Sequence, residues 1–570
     1  MGQKMIFGFS PIDLLIIVVY VIVIFYLGFR AKHKVKSSGD YFMGGRKGNR
    51  IMMIANGFGG ATHTDQAIGV AGATYEIGLG GIWYQWMYLF VTPFFWLLGP
   101  VYRRVRYVTT GDFFSERYGS KHGVAYSMMA LLYFIMDTGL ILKGTGTAIE
   151  AVTHGQISAS IIIIMITIFF LAYSVIGGLV SALVVNLVQG FFILILSFLL
   201  IPFALNAGGG ITAIKAQLPA YMFSFVAPKE ATLFFIVMVV LNGLIGVVVQ
   251  PHHMALGGAG KSEKNCRTGW TYGTFTKRIA TLGWAFVGVL AAALYPGLAN
   301  SNRESAFGIM VANLLPSGLL GLMVAAMIAA ILAVLHNYMV GGSAIITRNL
   351  YMKYFAKNLS EKKELSIARL SSIILVVGGV TVALIIPSVI EGLIIVWHFT
   401  AFFGIGFWAA IVWKRANRYG LWASLIVTTL CTLFAGSYFS FGLGWSTAYQ
   451  IALYLPLGFI TMIVVSLLTK SEPEENLNKF YSLLHTPVGE EFRLREKGID
   501  IVFEGESVHA SSDEKESLEE NGHSLLLVDL LSLHKKFSFK KYRVDLVGFL
   551  WASLFVLGIF ALGLIAASIG

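Results

Sequence analysis

About fourteen times along this chain a run of roughly nineteen or more predominantly apolar residues recurs, each long enough to cross the hydrocarbon of a bilayer. The windows lie near 11–29, 50–71, 79–102, 122–152, 156–174, 178–205, 231–255, 268–296, 305–345, 365–387, 389–413, 418–438, 447–468 and 545–569. Inside lipid a chain must satisfy its own backbone N–H and C=O groups, and windows of this length do so as helices. The expectation is therefore an all-α polytopic membrane protein with about fourteen transmembrane helices. Composition agrees: 56% of residues are hydrophobic and 13% charged, where a soluble domain carries roughly a quarter charged residues. The window 305–345 is long for one span, so a loop or short extra helix is expected before its main helix. The first window lacks a strongly basic leader and a small-residue cleavage site, so it reads as a membrane helix rather than a signal peptide.

The net charge of +12 does not call for a nucleic-acid partner, because many of the basic residues sit in short loops between apolar windows. Arg30, Lys32, Lys34, Lys36, Arg46 and Lys47 follow the first window, and Arg103, Arg104 and Arg106 the third. Lys261, Lys264 and Arg267 follow the seventh, Arg348 to Lys363 the ninth, and Lys414, Arg415 and Arg418 the eleventh. By the positive-inside rule these loops are cytoplasmic and both termini lie outside a bacterial-type plasma (inner) membrane. Residues 470–543 then fall in the cytoplasm. They are rich in Glu, Lys and Ser, and Glu504 to Glu520 is polar enough to be disordered. The segment reads as a regulatory or tolerated insertion. Two cysteines, Cys266 and Cys431, form no disulfide framework and no metal-ligand spacing.

Function is sought where the helical pattern is violated. In the second window Gly57, Gly59 and Gly60 are followed by Thr62, His63, Asp65 and Gln66 near mid-membrane depth. Each Gly weakens a helix by up to about 1 kcal/mol, and an ionisable group there is costly unless it lines a cavity. The seventh window carries the matching break, Asn242-Gly-Leu-Ile-Gly246 followed by Gln250-Pro-His-His253. Proline removes a backbone donor, so the freed carbonyls need a cation, water or polar solute. Two interrupted windows separated by four intact ones point to an inverted-repeat transporter with a site near the midplane.

Other polar residues have a plainer account beside the functional one. Gln85 and Tyr88 lie in Trp83-Tyr-Gln-Trp-Met-Tyr88, which suits a solute site or an interfacial aromatic belt. Lys277, near the start of the eighth window, is placed like a snorkelling lysine. Asp137 and Lys143 suit ion pairing with each other or with neighbouring helices, and His336 and Asn337 suit a pore lining or interhelical bonds. Ala255-Leu-Gly-Gly-Ala-Gly-Lys-Ser262 lacks the first glycine and preceding strand of a phosphate loop. No catalytic triad or metal cluster stands out, so an enzyme is not expected.

Several segments together resemble the sodium:solute symporter family over roughly residues 10–470. They are Ser38-Gly-Asp-Tyr-Phe-Met-Gly-Gly-Arg46, Gly111-Asp-Phe-Phe-Ser-Glu-Arg-Tyr118, Tyr173-Ser-Val-Ile-Gly-Gly-Leu179, Asn313 to Gly321 with Ala329-Ala-Ile331, and Trp413-Lys-Arg-Ala-Asn-Arg418. Gln250-Pro-His252 is similar to the proline-transporting branch. The resemblance implies a leucine-transporter-type core with a five-plus-five inverted repeat. It divides the chain into a leading helix and loop (1–48), the core (49–415), trailing helices (416–469), the polar insert (470–543) and a final helix (544–570).

Carried over by position, Asp65, Gln66, Gln85 and Lys277 match substrate-site positions of sugar-transporting members. Asn242 shares the seventh window with a substrate asparagine, and Tyr88 shares the aromatic setting of Gln85. The family sodium site draws on carbonyls of the broken helix and of a later helix, plus two adjacent hydroxyls. Gly59, Thr62 and Ala330 fall on that pattern, but the hydroxyl positions hold Ala333 and Val334, and an expected acidic residue is Asn186. Gly243 and Val247 replace the bulky aromatics of the proline branch, so proline is not the expected solute. The expected function is secondary transport of a small polar organic solute by sodium symport, with no cofactor beyond Na+. The alternatives are proton coupling through His63 and Asp65, uncoupled transport, or a transporter-derived sensor. The expected partners are the solute and the lipid bilayer.

Overall fold

The computed structural model describes residues 6–32, 38–174, 178–228, 230–298, 303–356, 359–386, 388–436, 442–501 and 524–568. Glu504 to Glu520, residues 33–37 of the first basic loop and residues 175–177 of the Tyr173–Leu179 motif lie outside them. Each apolar window carries helix. The leading helix α1 (Pro11–Lys32) starts on a proline, whose fixed φ and missing N–H suit a first helical turn. The second window is split into α2 (Arg50–Gly59) and α3 (Thr64–Ile77). The third ends in α4 (Phe94–Arg104), followed by the short α5 (Thr110–Tyr118). Then come α6 (Ser120–Val152), α7 (Ala159–Ser174) and α8 (Gly178–Phe198).

The seventh window is α9 (Leu233–Gly246) and α10 (His252–Gly258), bent by 70° between them. Next follow α11 (Glu263–Leu294), α12 (Leu319–Ala344), α13 (Glu361–Ile385) and α14 (Val389–Val412). The trailing helices are α15 (Arg418–Ala435) and α16 (Thr447–Leu468). After them come α17 (Glu474–His485) and the final α18 (Arg543–Ser568). The long ninth window resolves as expected into a short helix, Ala306–Leu314, a turn, and then α12. Among the described residues nine helices are long and apolar enough to cross a membrane, or ten if the bent pair counts as one span. The protein is a multi-pass helical membrane protein.

Small residues let the central helices meet backbone to backbone. A Cβ on Gly57 of α2 would stand 2.7 Å from the Gly269 carbonyl of α11, and one on Gly273 would stand 2.6 Å from the Gly57 carbonyl carbon. In lipid such close approach, more than apolar burial, holds helices together. Gly273→Val is therefore expected to cost about 3 kcal/mol, the upper end for overpacking, read as a lowered thermal midpoint of the detergent-purified protein.

The basic loops gather at one end of the bundle, as loops on one side of a membrane must. There Arg46 donates to the carbonyls of Arg103 and Tyr107 at 3.3 and 3.2 Å. Arg104 pairs with Glu263 at 2.8 Å, and Arg418 with Glu472 at 2.5 Å. The segment after α16 docks on the same end. Arg106 holds Glu491 at 2.8 Å, Tyr481 donates to the Ala410 carbonyl at 2.8 Å, and Lys479 pairs with Glu116 at 2.7 Å. The described part of the 470–543 insert is thus packed onto the bundle rather than loosely appended. Helix α18 lies against α4 and α11. Trp96 donates to the Val544 carbonyl at 2.9 Å, and Asp545 pairs with Arg267 at 2.6 Å with both side chains almost fully buried.

Candidate functional site

The first break, Gly60 to His63, exists because two consecutive glycines end α2 and His63 caps α3 in an extended conformation. Its exposed carbonyls are claimed from two other helices. Lys277 of α11 donates to the Ala61 carbonyl at 2.5 Å, and Asn337 of α12 to the Gly60 carbonyl at 3.1 Å. Thr64 donates to the Met327 carbonyl at 2.8 Å, fixing α3 to α12. The His63 ring sits between two neighbours of its own turn. Nδ1 donates to Asp65 Oδ1 at 2.5 Å, and Nε2 accepts from the Gln66 amide at 2.8 Å. All three side chains are buried.

At the second break the carbonyls of Val247, Val248 and Val249 are each taken by a side chain. His253 Nδ1 reaches the first at 2.7 Å, the Tyr102 hydroxyl the second at 2.5 Å, and the Tyr126 hydroxyl the third at 2.7 Å. The sequence-based expectation that these carbonyls await a cation, water or solute is corrected here, because the protein's own donors hold them. A bent helix is stable under such clamps, since an unsatisfied buried carbonyl is costly.

Both breaks border one small cavity of ≈ 60 Å³. His63, Gln66, Gln85, Tyr88 and Lys277, all candidates from sequence, line it together. Arg278, Asp137, His252, Gln250 and Trp397 line it as well. Of these, Arg278 and Trp397 were not singled out from sequence. Arg278 is the charged one. Its guanidinium donates to the Gln85 carbonyl at 3.1 Å and stands 5.6 Å from the Tyr88 ring centroid. Asp137 is held by the Tyr338 hydroxyl at 2.6 Å, and Gln250 donates to Tyr88 at 3.3 Å. Among the described residues, three buried polar atoms of the lining have no partner: Gln66 Oε1, Gln85 Oε1 and His252 Nδ1.

Two sequence candidates are placed elsewhere. Asp65 is not in the lining but is held by His63. Asn242 is also outside it. Its amide donates to the Trp397 carbonyl at 3.4 Å and accepts from Tyr454, which ties α9 to α14 and α16.

The cation candidates surround the first break from the side of α8 and α12. Gly59 abuts the Asn186 backbone. Ala330, Ala333 and Val334 are buried on α12, and the last two offer no side-chain oxygen. An amide network stands beside them: Asn186 donates to Asn56 Oδ1 at 2.8 Å, and Asn337 bridges the Gly60 and Ala333 carbonyls. Thr62 Oγ1, Asn186 Oδ1 and Asn337 Oδ1 are buried oxygens without a partner among the described residues. Neutral oxygens of this kind suit a hard cation.

Comparison with known proteins places this geometry. The profile of the sodium:solute symporter family matches residues 41–428. The chain is 26% identical over 483 residues to the osmoregulated proline transporter OpuE of Bacillus subtilis, covering 81% of this chain and 96% of that protein. It is 26% identical over 469 residues to the sodium/pantothenate symporter of Haemophilus influenzae, covering 78% and 93%. A solved structure of a Na+-coupled sialic acid symporter in a substrate-bound outward-open state superposes with a TM-score of 0.71 at 18% identity, covering 82% of this chain and 99% of that one, a likeness of fold. With its two clamped breaks facing one polar cavity, and a match across more than half its length, this chain is a membrane transporter that belongs to the sodium:solute symporter family.

Proposed function

We propose that the protein carries a small polar organic solute inward across a plasma membrane together with a sodium ion. The observation that carries this reading is the cavity bordered by both broken helices, lined by polar side chains that include the unpartnered amide oxygens of Gln66 and Gln85. The core then runs from 49 to 415 as two inverted five-helix halves, opened by α2–α3 and α9–α10, within about fourteen spans. The leading helix, the trailing helices, the 470–543 insert and α18 are additions to it. The gathered basic loops mark the cytoplasmic end, which leaves both termini outside. Gln66, Gln85, Tyr88 and Lys277 contact the solute, while Asp65 and Asn242 support the site from behind it.

For the ion, the oxygens of Thr62, Asn186 and Asn337 take the place of the hydroxyls missing at Ala333 and Val334, together with the carbonyls near Gly59 and Ala330. A second reading, proton coupling, rests on the buried His63–Asp65 pair. Thermal stability of the purified protein across a solute library, in NaCl or choline chloride at equal ionic strength and two pH values, separates them. A ligand that binds the folded state raises the midpoint by mass action. The expected result is greater stabilisation by a solute in sodium, and a Thr62→Val variant that loses the difference. Equal stabilisation in both salts, with a dependence on pH, moves the coupling to His63 and Asp65.

A further inference from the structure

Lys277 and Arg278 bring two adjacent cationic side chains to the same cavity, both nearly fully buried. Neither makes an ion pair with a carboxylate among the described residues; their recorded acceptors are the Ala61 and Gln85 carbonyls and the Thr92 hydroxyl. The acidic groups in electrostatic reach of Lys277 are Asp65 on α3 and Asp137 on α6. Both are already engaged, Asp65 by His63 and Asp137 by Tyr338. The remaining titratable lining groups are His252 and His253 on α10 and the tyrosines 88, 133 and 338. Buried cations of this kind are costly unless a partner arrives, and a guanidinium beside an ammonium suits a carboxylate by charge and by fork geometry. On the same wall Gln66 Oε1 and Gln85 Oε1 lack donors.

Resting on the reading of this cavity as the transport site, we propose that the solute bears a carboxylate, held between Lys277 and Arg278, and hydroxyl or amino donors that satisfy Gln66 and Gln85. Arg278 is then the specificity-determining residue, selecting acids over their neutral analogues.

The test uses the purified full chain and pairs of probes in which a neutral group replaces the carboxylate: proline and prolinamide, pantothenate and panthenol, N-acetylneuraminate and its methyl ester, gluconate and gluconamide. The expected result is that an acid raises the thermal midpoint while its neutral partner does not. Arg278→Gln and Lys277→Gln are expected to weaken that acid by about ten- to a hundredfold, the loss of one charge-assisted hydrogen bond. Arg278→Lys, which keeps the charge, recovers part of the affinity and shows that the loss in Arg278→Gln is not misfolding. A neutral partner that stabilises as well as its acid overturns the proposal, as does an acid bound equally by wild type and Arg278→Gln. Proteoliposome uptake distinguishes the two readings. A neutral solute carried with sodium keeps the transporter and removes the carboxylate, whereas an acid bound in the cavity but never carried does the reverse.

Discussion

Lys277→Met is expected to reduce solute uptake into proteoliposomes by at least about a hundredfold while the protein still purifies as a folded species. Three consequences of the change add up. The Ala61 carbonyl at the first break loses its donor at 2.5 Å, and a carbonyl stranded in a buried site costs about 1–3 kcal/mol. Asp65 and Asp137 lose the nearby positive charge that balances them, and buried carboxylates without a counter-charge are penalised further. The cavity also loses one of its two anchors for a solute. Methionine keeps the length and bulk of the lysine stem, so packing against α2 is preserved and the loss is one of charge and hydrogen bonding. Wild-type rates in the methionine variant would mean that Lys277 only braces the helix. The measurement is initial uptake at saturating solute, with the fraction of correctly sized protein as control.

Arg106→Ala is expected to destabilise the protein by about 3–5 kcal/mol and to free the segment after α16. The guanidinium is fully buried and satisfied on every side. It holds Glu491 through Nη2 at 2.8 Å and donates to the carbonyls of Arg104, Thr486 and Pro487 at 2.5, 3.1 and 2.8 Å. Its backbone adopts a positive φ of 56°, a conformation an ordinary residue keeps only where its surroundings over-determine it. Removing one partner of such a buried pair leaves an uncompensated carboxylate and several carbonyls without donors, which sets the expected cost. Limited proteolysis should then cut within 474–501, and the thermal midpoint should fall. An unchanged proteolysis pattern would mean that α17 is held by its apolar face, through Phe480, Leu483 and Leu484, rather than by Arg106.

What was legible in the sequence is what local chemistry encodes. Apolar length alone located the helices, because a helix in lipid satisfies its backbone within itself. The two breaks were legible because glycine and proline act on their own turn, and the division of the ninth window was legible from its length alone. Lys277, Gln66 and Gln85 were found as polar groups in apolar or aromatic settings, and the family resemblance sharpened them. Arg278 was passed over because in sequence it is one more positive charge beside Lys277, and only the fold shows that both line the cavity from the middle of α11. The clamps on the second break were beyond reach for a different reason. Tyr102 and Tyr126 lie more than a hundred residues from the carbonyls they hold, and nothing in their own segments marks them as donors. The segment after α16 read as a regulatory or tolerated insertion because it is rich in charge, whereas Arg106 takes up its Glu491 and its Lys479 pairs with Glu116. Asn242 was singled out because it shares the broken seventh window with a substrate asparagine of the family; its contacts to Trp397 and Tyr454, distant in sequence, could not be read from that window.

The buried pair between Arg267 and Asp545 also bears on how the protein is made. Arg267 enters the membrane region with α11, yet its carboxylate partner emerges nearly three hundred residues later, with α18. Until α18 is synthesised, the bundle carries an arginine whose carboxylate does not yet exist. Docking of α18 is thereby written into the bundle's stability: a nascent product that lacks this helix leaves Arg267 without its counter-charge, and the closing of that one contact marks the step at which α18 joins the bundle.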